Sequence, residues 1–382
     1  MTADISLSTW KGLRRAALLT GAVLLLAACG SAPKKPEPKA LVPYKATLAA
    51  KPLWAAPAGV PGALPPVFHA EQVLVPSSGG LVRAFQVSSG AESWRATVAG
   101  GVSSGVGFDG VWLAAVTPGN ELVVLAQGKE LWRSRLPSRV FTPPLVAGQR
   151  VFVQAGDRSV YAFDAATGAR LWSQNVRSAD ALLLQQPGLL QPYNDTLILG
   201  SGGRMVGLNP NGGSMRWEAA IANPRGVNEI ERLVDLVGRT TRQGAQICAR
   251  AFQAAVGCIE ANRGVLQWTK PANGATGVDG DATRVFGVES NGRVQAWSRT
   301  QGEVLWSVED LLNRGLTAPA ASSKGVAVGD SQGWLHVLAP ANGATLVRTN
   351  TDGSPVVGDP IWHGNTLLAV TQKGGVYAWQ IE

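Results

Sequence analysis

The sequence predicts an all-β protein, an eight-bladed β-propeller with four antiparallel strands in each blade. Two observations carry this prediction: a pattern that returns about every 40 residues, and an incomplete copy of it at each end of the chain. A repeat of this length accommodates four short strands and their turns, which is one propeller blade. The chain of 382 residues is 45% hydrophobic and 16% charged, so it has enough apolar surface for a large core.

Each copy of the repeat has a small residue, a turn that ends in Gly, and Trp four residues after that Gly. The pattern is fullest in "YAFDAATGARLW", where Ala162, Gly168 and Trp172 fill these positions. Seven copies are visible; Val347 replaces Trp in the last, and the turn before Trp132 is two residues shorter than the others. The repeated tryptophans are Trp94, Trp132, Trp172, Trp217, Trp268 and Trp306.

We predict a structural role for these tryptophans and for Trp54. A large ring at one fixed place in each blade, facing a small residue such as Ala162 or Ala296 in a neighbouring copy, would dock one blade against the next. The residue two positions after the small one is expected to accept hydrogen bonds from backbone N–H groups of the turn. In four copies it is Asp164, Asn209, Glu260 and Ser298.

The two incomplete copies predict how the ring closes. "GGVYAWQIE", residues 374–382, begins an eighth copy and stops before its Gly and Trp, whereas "AAKPLWAAP" holds Trp54 with no copy in front of it. We expect the strand that bears Trp54 to pair as the outer strand beside residues 377–381. This pairing leaves no exposed sheet edge at the junction.

The N-terminus has the pattern of a targeting segment. Lys11, Arg14 and Arg15 precede the apolar run 16–28, which is short for a membrane-spanning helix and ends at Cys29 in "LAACG". This resembles the bacterial lipobox, in which the signal is cut before a Cys that is then lipidated; the alternative is an ordinary signal peptide with a chance Cys. Three segments follow from the lipobox reading: signal peptide 1–28, lipidated Cys29 with a Pro- and Lys-rich tether over 29–45, and propeller 46–382. Ser31 in the sorting position favours the outer membrane, with the body facing the periplasm.

The charge distribution argues against a nucleic-acid partner. The net charge is +8, but six of the 34 Lys and Arg residues lie before residue 40, against two acidic residues there. The rest of the chain has 28 basic and 24 acidic residues, with no basic run interleaved with aromatics. Nucleic-acid binding is therefore not expected.

Cys248 and Cys258 lie symmetrically about Gln253 in "CARAFQAAVGC". A hairpin turning at Gln253 would place the two thiols opposite each other on one face of the sheet. We predict a cross-strand disulfide, which persists in the periplasm. The alternative is a pair of small buried residues.

Motifs typical of enzymes occur in positions that do not suit them. "GVGFDG" (105–110) matches a dinucleotide fingerprint and "GDSQG" (329–333) a nucleophile elbow, but each is followed by a strand where the motif needs a helix. The residues His69, His336 and His363 lack metal-ligand spacing, and "DGD" at 279–281 lacks the further oxygen ligands of a calcium loop. The sequence thus predicts no catalytic residue, no cofactor and no metal.

Two family resemblances rest on these residues. The consensus A-x-D-x-x-T-G-x-x-x-W resembles the repeat of the quinoprotein (pyrroloquinoline quinone) dehydrogenases, but this chain lacks the adjacent cysteines of many of those enzymes. The lipobox, the eight blades and "PRGVNEIERLVDLVG" (224–238) together resemble the BamB family, the lipoproteins of the outer-membrane β-barrel assembly machinery. That resemblance implies a non-enzymatic scaffold that binds the POTRA domains of the central barrel protein and aids the insertion of β-barrel proteins.

The resemblance also implies where the partner binds. The two longest repeats carry their extra residues after Trp172 and after Trp217, in loops of neighbouring blades. Apolar anchoring is assigned to Leu182 and Leu184, beside Gln185, where the family favours Arg; Val237 stands where a second acid is usual. The alternative for the leucines is burial between blades. Charged residues expected to orient the partner are Glu229, Glu231, Arg232 and Asp235.

Three further interpretations remain open at this point. A strand of a POTRA domain, or of an unfolded outer-membrane client protein, could add to a blade edge. The rival class is a periplasmic quinoprotein or sugar-binding enzyme with a central pocket. A third is a propeller that binds peptidoglycan or another envelope protein, because a fold does not fix a function.

Overall fold

The computed structural model describes residues 36–57, 62–176, 184–223 and 233–382. Within these ranges the regular secondary structure consists of strands, and no helix long and apolar enough to cross a membrane occurs in them. The strands form eight four-stranded antiparallel sheets, arranged as the blades of a propeller. The predicted fold class is confirmed.

The first four blades follow one another along the chain. Blade 1 contains β2 (Val67–His69), β3 (Gln72–Pro76), β4 (Leu81–Gln86) and β5 (Glu92–Thr97). Blade 2 contains β6 (Val106–Phe108), β7 (Trp112–Val116), β8 (Glu121–Ala126) and β9 (Lys129–Arg135). Blade 3 contains β10 (Leu145–Ala147), β11 (Arg150–Gln154), β12 (Ser159–Asp164) and β13 (Arg170–Asn175). Blade 4 contains β14 (Leu190–Tyr193), β15 (Thr196–Ser201), β16 (Arg204–Leu208) and β17 (Met215–Ala220).

The last four blades complete the ring, and the final one draws a strand from the start of the chain. Blade 5 contains β18 (Leu236–Gln243), β19 (Gln246–Ala251), β20 (Ala255–Glu260) and β21 (Val265–Pro271). Blade 6 contains β22 (Val278–Gly280), β23 (Arg284–Val288), β24 (Val294–Ser298) and β25 (Val304–Val308). Blade 7 contains β26 (Ala320–Ser322), β27 (Gly325–Gly329), β28 (Trp334–Leu338) and β29 (Thr345–Asn350). Blade 8 contains β30 (Val356–His363), β31 (Thr366–Thr371), β32 (Gly375–Ile381) and β1 (Ala50–Pro57).

Ring closure follows the prediction from the two incomplete repeats. Strand β1 pairs antiparallel with β32 as the outer strand of blade 8, and Trp54 lies opposite Ala378. Trp54 then packs with blade 1 residues such as Phe85 and Val87, and its Nε1 donates to the carbonyl oxygen of Val87 at 2.8 Å. The two ends of the chain therefore complete one blade, and that blade docks on the first.

The repeated Gly and Trp residues form the seams between blades. The indole of Trp132 lies over Gly168 of the next blade, and its Nε1 donates to the carbonyl oxygen of Ala165 at 2.8 Å. A Cβ on Gly168 would lie 2.6 Å from the indole Cδ2, so the glycine leaves room for the ring. The same stacking joins Trp54 to Gly90, Trp172 to Gly213, Trp217 to Gly264, Trp268 to Gly302 and Trp306 to Gly343.

The predicted small partner of the Trp was wrong. Ala162 lies directly opposite Trp172 on the adjacent strand of the same blade, and Ala296 lies opposite Trp306 in the same way. The small residue thus makes room for the indole above its own sheet. It is the glycine of the turn in the next blade that receives the ring.

Two seams depart from this pattern for a visible reason. Blade 2 has the shortened turn at Gln127 and Gly128, and Trp94 of blade 1 bonds instead to Gln72 Oε1 in its own blade, at 3.1 Å. In blade 8, the third and fourth strands come from opposite ends of the chain, so no turn connects them. Blade 8 therefore has no turn glycine to receive an indole from blade 7, and blade 7 has Val347 in the Trp position.

The turn residues accept hydrogen bonds as expected in three of the four named copies. Asp164 Oδ1 accepts from the backbone N–H groups of Ala166 and Thr167. Asn209 and Glu260 cap the equivalent N–H groups of their own turns. Ser298 differs, because its hydroxyl bonds to the hydroxyl of Thr300 rather than to the backbone.

The second half of the chain contains a disulfide. Strands β19 and β20 place Cys248 directly opposite Cys258, and an S–S bond of 1.99 Å joins them. Gln253 lies in the connecting turn with a φ of 48°. Both cysteines are fully buried, at the contact between blades 5 and 6.

A segment before β1 is fixed to the ring as well. Residues 39–48, here called the strap, run from the connection between β25 and β26 to β29, the outer strand of blade 7. The backbone N–H of Lys39 donates to Leu312 at 2.9 Å, and that of Thr47 donates to Leu346 at 3.0 Å. Residues 38–382 form one compact body, so contact with the ring begins before the expected domain start at residue 46.

A buried polar network lies beneath the strap. Asp330 accepts from Arg314 Nε at 2.7 Å and lies 3.1 Å from His336 Nε2. Arg348 Nε donates to His336 Nδ1 at 3.2 Å, and its guanidinium lies 4.9 Å from the ring centre of Tyr44 in the strap. Because arginine can only donate, His336 Nδ1 accepts, and the ring's proton is on Nε2, facing Asp330.

This network predicts a loss of stability in mild acid. Burial lowers the pKa of His336, against the opposing effect of Asp330, so the folded protein binds a proton less readily than the unfolded chain. The stability that neutral His336 contributes is present above the ordinary histidine pKa of 6.5, and it is lost as the pH falls below that value. Burial alone would raise the pKa of Asp330, but hydrogen bonds from His336 and the Trp334 N–H lower it. The contribution of Asp330 to stability is therefore lost only below the ordinary aspartate pKa of 3.8.

The measurement is the free energy of unfolding against pH for the wild type and His336→Asn. We expect the wild-type value to fall between pH 6.5 and 5 and the variant to show a flatter dependence in that interval, since its replaced side chain no longer takes up a proton. His363→Asn is the control, because His363 is partly exposed and pairs with Glu71 at 2.9 Å. An unchanged slope in His336→Asn would contradict the assignment.

Candidate partner-binding site

The two long loops lie next to each other on one face of the ring. Each leads from the fourth strand of one blade to the first strand of the next: β13 to β14, and β17 to β18. The described part of the first loop pairs with the start of β18, to which the second loop leads: a β-bridge joins Gly188 to Val237, beside a hydrogen bond from the Gly238 N–H to the Pro187 carbonyl at 3.1 Å. Four residues assigned to partner contact lie outside the described residues: Leu182, Glu229, Glu231 and Arg232.

Asp235 joins the two loops. Its Oδ2 accepts from the backbone N–H of Leu184 in the first loop, at 2.9 Å. Its Oδ1 accepts from the N–H of Gly202, at 3.0 Å, and from Arg158 Nη1, at 3.2 Å. The Asp235 carboxylate thus joins the first loop, the turn that contains Gly202 and the turn that contains Arg158.

The structure gives Asp235 a different role from the expected surface charge. Its exposed fraction is 7%, and both carboxylate oxygens accept hydrogen bonds from within the chain. Direct contact between this carboxylate and a partner is therefore not available in this conformation. Asp235 instead fixes where Leu184 lies, which makes it a positioning residue for the loop.

The apolar side of the site is only partly exposed. Leu184 is half-buried and lines a cavity of about 30 Å³ with Phe141 and Gln186, whereas Gln185 beside it is exposed. Val237 is buried in the first strand of blade 5, with an exposed fraction of 2%. A cavity of this size holds nothing larger than water, so a partner would contact the surface of these loops rather than enter a pocket.

Sequence reasoning missed Arg158, the ionic partner of Asp235. It is the residue with positive φ (65°) in the tight turn between β11 and β12, and it is 7% exposed. A non-glycine residue at positive φ is uncommon and marks a constrained turn. Nothing in "AGDRS" predicts that this arginine reaches a carboxylate 77 residues away.

The motifs that resemble enzyme sites lie in turns between strands. Residues 105–110 cover β6 and the start of its turn to β7, where Asp109 Oδ1 accepts from the N–H groups of Val111 and Trp112. Residues 329–333 connect β27 to β28, and Ser331 donates its hydroxyl to the carbonyl oxygen of Arg314. Across the described ranges, no group of three or more His, Cys, Asp or Glu side chains could hold a metal ion.

The fold and this site define a class of protein: an eight-bladed propeller with two adjoining interblade loops on one face. The family profile described as outer membrane protein assembly factor BamB matches residues 78–308 and 301–382. The chain belongs to the BamB family of outer membrane protein assembly factors.

Individual relatives agree with this membership. BamB of Burkholderia pseudomallei is 34% identical over 366 residues, which covers 94% of this chain and 96% of that protein. BamB of Bordetella pertussis is 32% identical over 375 residues and covers 96% of both chains. These relatives are named as assembly factors rather than as enzymes.

Solved structures show the same architecture. The crystal structure of BamB from Moraxella catarrhalis matches with a TM-score of 0.77 at 24% identity, covering 87% of this chain and all of that one. The quinohemoprotein alcohol dehydrogenase of Comamonas testosteroni matches with a TM-score of 0.64 at 13% identity, covering 87% of this chain and 76% of that one. At such identities the likeness concerns the fold alone, so the repeat shared with quinoproteins is a structural one.

Proposed function

We propose that this BamB family member is a non-enzymatic scaffold lipoprotein that binds the POTRA domains of the central outer-membrane barrel protein. In this proposal Cys29 is lipidated and holds the body at the periplasmic side of the outer membrane. The protein aids the insertion of β-barrel proteins, and unfolded clients are a second partner. No reaction is catalysed, and no cofactor is required.

The observation that carries the proposal is the junction at Asp235. The buried carboxylate of Asp235 in the second loop accepts from Leu184 in the first, and Gly188 pairs with Val237, so the described residues 184–188 and 233–237 form one edge. A preformed edge binds a partner without the cost of ordering two separate loops. Gln185 is exposed at this edge and Leu184 is half-exposed, so an amide and an apolar group are presented together.

The test is calorimetric titration of the protein lacking residues 1–29 with the soluble POTRA domains of the same organism's barrel protein. We expect saturable binding and a loss of about tenfold or more in Leu184→Asp, because a charge replaces an apolar contact at the interface. Asp235→Ala should weaken binding as well, since it releases the N–H of Leu184 from its acceptor.

Leu305→Asp is the matched control, because Leu305 is 50% exposed on β25 of blade 6, away from the two loops. It should bind like the wild type. Equal binding by Leu184→Asp and Leu305→Asp would remove the loops from the interface. No binding by a folded wild-type ring would overturn the proposal itself.

A further inference from the structure

The centre of the ring holds a cavity, and residues 186–188 of the first loop form part of its wall. It lies where the first strands of the blades converge, and its volume is about 610 Å³, within the size range of small-molecule sites. Its walls are largely apolar and include Pro65, Pro66, Phe68, Ile361 and Trp362. Trp362 Nε1 already donates to the carbonyl oxygen of Ala320 at 3.0 Å, so the indole offers the cavity no free donor.

Two of the eight first strands are built differently from the others. Strands β18 and β30 have eight residues each, whereas the other six have three or four. Both contain a bulge in which three residues oppose one on the next strand, at 238–240 and at 358–360. Bulges near a sheet edge or a site commonly re-aim a side chain.

Each bulge begins with a glycine in the left-handed region and continues with a charged residue. Gly238 has a φ of 62° and precedes Arg239; Gly358 has a φ of 69° and precedes Asp359. A Cβ on Gly358 would lie 2.8 Å from Pro66 Cδ, so the bulge is packed against the cavity wall. The same backbone device thus places one cation and one anion at the central cavity, which both residues line.

Arg239 has an ionic partner, whereas Asp359 has none among the described residues. Arg239 pairs with Asp279 at 3.4 Å, and Asp279 also accepts from the N–H of Ala321 at 2.9 Å. Asp359 accepts one hydrogen bond, from the N–H of Ala318 at 3.2 Å, and within the described ranges no Lys or Arg forms an ion pair with it. Burial raises the pKa of Asp359, and the charge of Arg239 and the N–H of Ala318 do not offset that effect.

We propose that this cavity is a binding site for an organic cation, a primary amine or guanidinium on an apolar body, with Asp359 as its counter-ion. The cation supplies the partner that Asp359 lacks, and Phe68 and Trp362 pack against the apolar body. Arg239 also acts on Asp359, and its repulsion of a bound cation is offset by Asp279, which pairs with it at 3.4 Å. The inference goes beyond the proposed scaffold function, which uses Leu184 and Gln185 at the loop surface, whereas the neighbouring residues 186–188 line the cavity.

The site also predicts a proton linkage. Binding of a cation favours the ionised form of Asp359, so it lowers the pKa that burial raises and releases a proton when the free carboxyl is protonated. The charged groups that act on Asp359 are Arg239 from β18, which lowers its pKa, and Asp279 from β22, which raises it. Affinity should therefore increase as the pH rises through the range in which Asp359 ionises.

The experiment titrates the protein lacking residues 1–29 with a blocked Leu-Arg-Leu tripeptide, its citrulline counterpart, and phenethylamine. We expect saturable binding of the arginine peptide and a loss of about tenfold or more for the citrulline peptide, which has the same shape without charge. Binding of phenethylamine would identify free amines as a sufficient ligand. Its failure alongside binding of the arginine peptide would identify the side chain of a polypeptide.

Two variants and one control place the site. Asp359→Asn keeps an oxygen for the Ala318 N–H and removes the charge, so it should lose about tenfold or more in affinity for the arginine peptide. Ala275→Trp fills the cavity and should abolish binding with every charge in place. Asp195→Asn, at a side chain that is 78% exposed in blade 4, should bind like the wild type.

Three results would overturn the proposal: no saturable binding by the folded wild type at millimolar peptide, equal binding of the two peptides, or no loss in Asp359→Asn. If Asp359→Asn does not fold, Ala275→Trp decides in its place. POTRA binding by the same variants is measured in parallel. Asp359→Asn should keep POTRA binding, and Leu184→Asp should keep binding of the arginine peptide, so a failure of either proposal is seen separately.

Discussion

Replacing Asp330 by asparagine is expected to lower the free energy of unfolding by about 3–5 kcal/mol, the cost of breaking a buried ion pair from one side. The side chain of Asp330 is fully buried and that of Arg314 is 3% exposed. Asparagine keeps the shape and the oxygen that accepts from the N–H groups of Gln332 and Trp334. It removes the charge and the second oxygen, Oδ2, which accepts from Arg314 and His336, so the guanidinium of Arg314 is left in the interior without a counter-ion.

Urea unfolding of the wild type, Asp330→Asn and Asp195→Asn measures this effect. Asp195 forms an ion pair with Arg216 at the surface, at 2.7 Å and with 78% of its side chain exposed, so its replacement should leave stability close to that of the wild type. Loss of the Arg314 pair should also loosen the strap, because Arg314 Nη1 donates to the carbonyl oxygen of Lys39 at 2.9 Å. If Asp330→Asn unfolds at the same urea concentration as the control, the network does not stabilise the fold.

The second large effect is expected at a blade seam. Gly168→Ala should lower the free energy of unfolding by about 2–4 kcal/mol, of which roughly 1 kcal/mol comes from a side chain at positive φ and the rest from overpacking. Gly168 has a φ of 75°, and the added Cβ would lie 2.6 Å from the indole of Trp132. The seam must open, or the indole must move and lose its hydrogen bond to Ala165.

Gly353→Ala separates the two contributions. Gly353 has a φ of 78°, close to that of Gly168, but no atom lies within 4 Å of the added Cβ. Gly353→Ala should lower the free energy of unfolding by about 1 kcal/mol, which is the effect of the backbone conformation alone. Equal losses in the two variants would show that the indole does not depend on the glycine beneath it.

The sequence predicted those features of the fold that recur locally. The Gly and the Trp of one repeat are four residues apart, and the two terminal fragments complement each other, so spacing alone predicts the number of blades and their closure. The residue that receives the Trp ring was assigned wrongly because this contact is not local. Trp132 and Gly168 belong to different repeats, and only their packing shows which glycine receives which ring.

The sequence predicted that the two loops adjoin but not how they are joined, and their role in partner binding stays a prediction. Loop length and family resemblance located the two loops, because insertions in a regular repeat stand out. The burial of Asp235 was not predictable, since it depends on Arg158 and Gly202 in the turns of two other hairpins. The bulges were visible as the matching triplets "VGR" (237–239) and "VGD" (357–359), but their meaning required the strand register.

The pairing of β1 with β32 sets the order in which the ring can be completed. Lys51 and Glu382 form an ion pair at 2.6 Å although they are 331 residues apart, and contacts of such separation form late in folding. As the chain grows from its N-terminus, β1 has no partner until synthesis reaches the last strand. A product that stops before residue 375 leaves β1 without a partner strand and β31 paired only with β30, so β31 has an open edge for proteases and for aggregation. A closed ring therefore forms only in chains in which β32 has been synthesised.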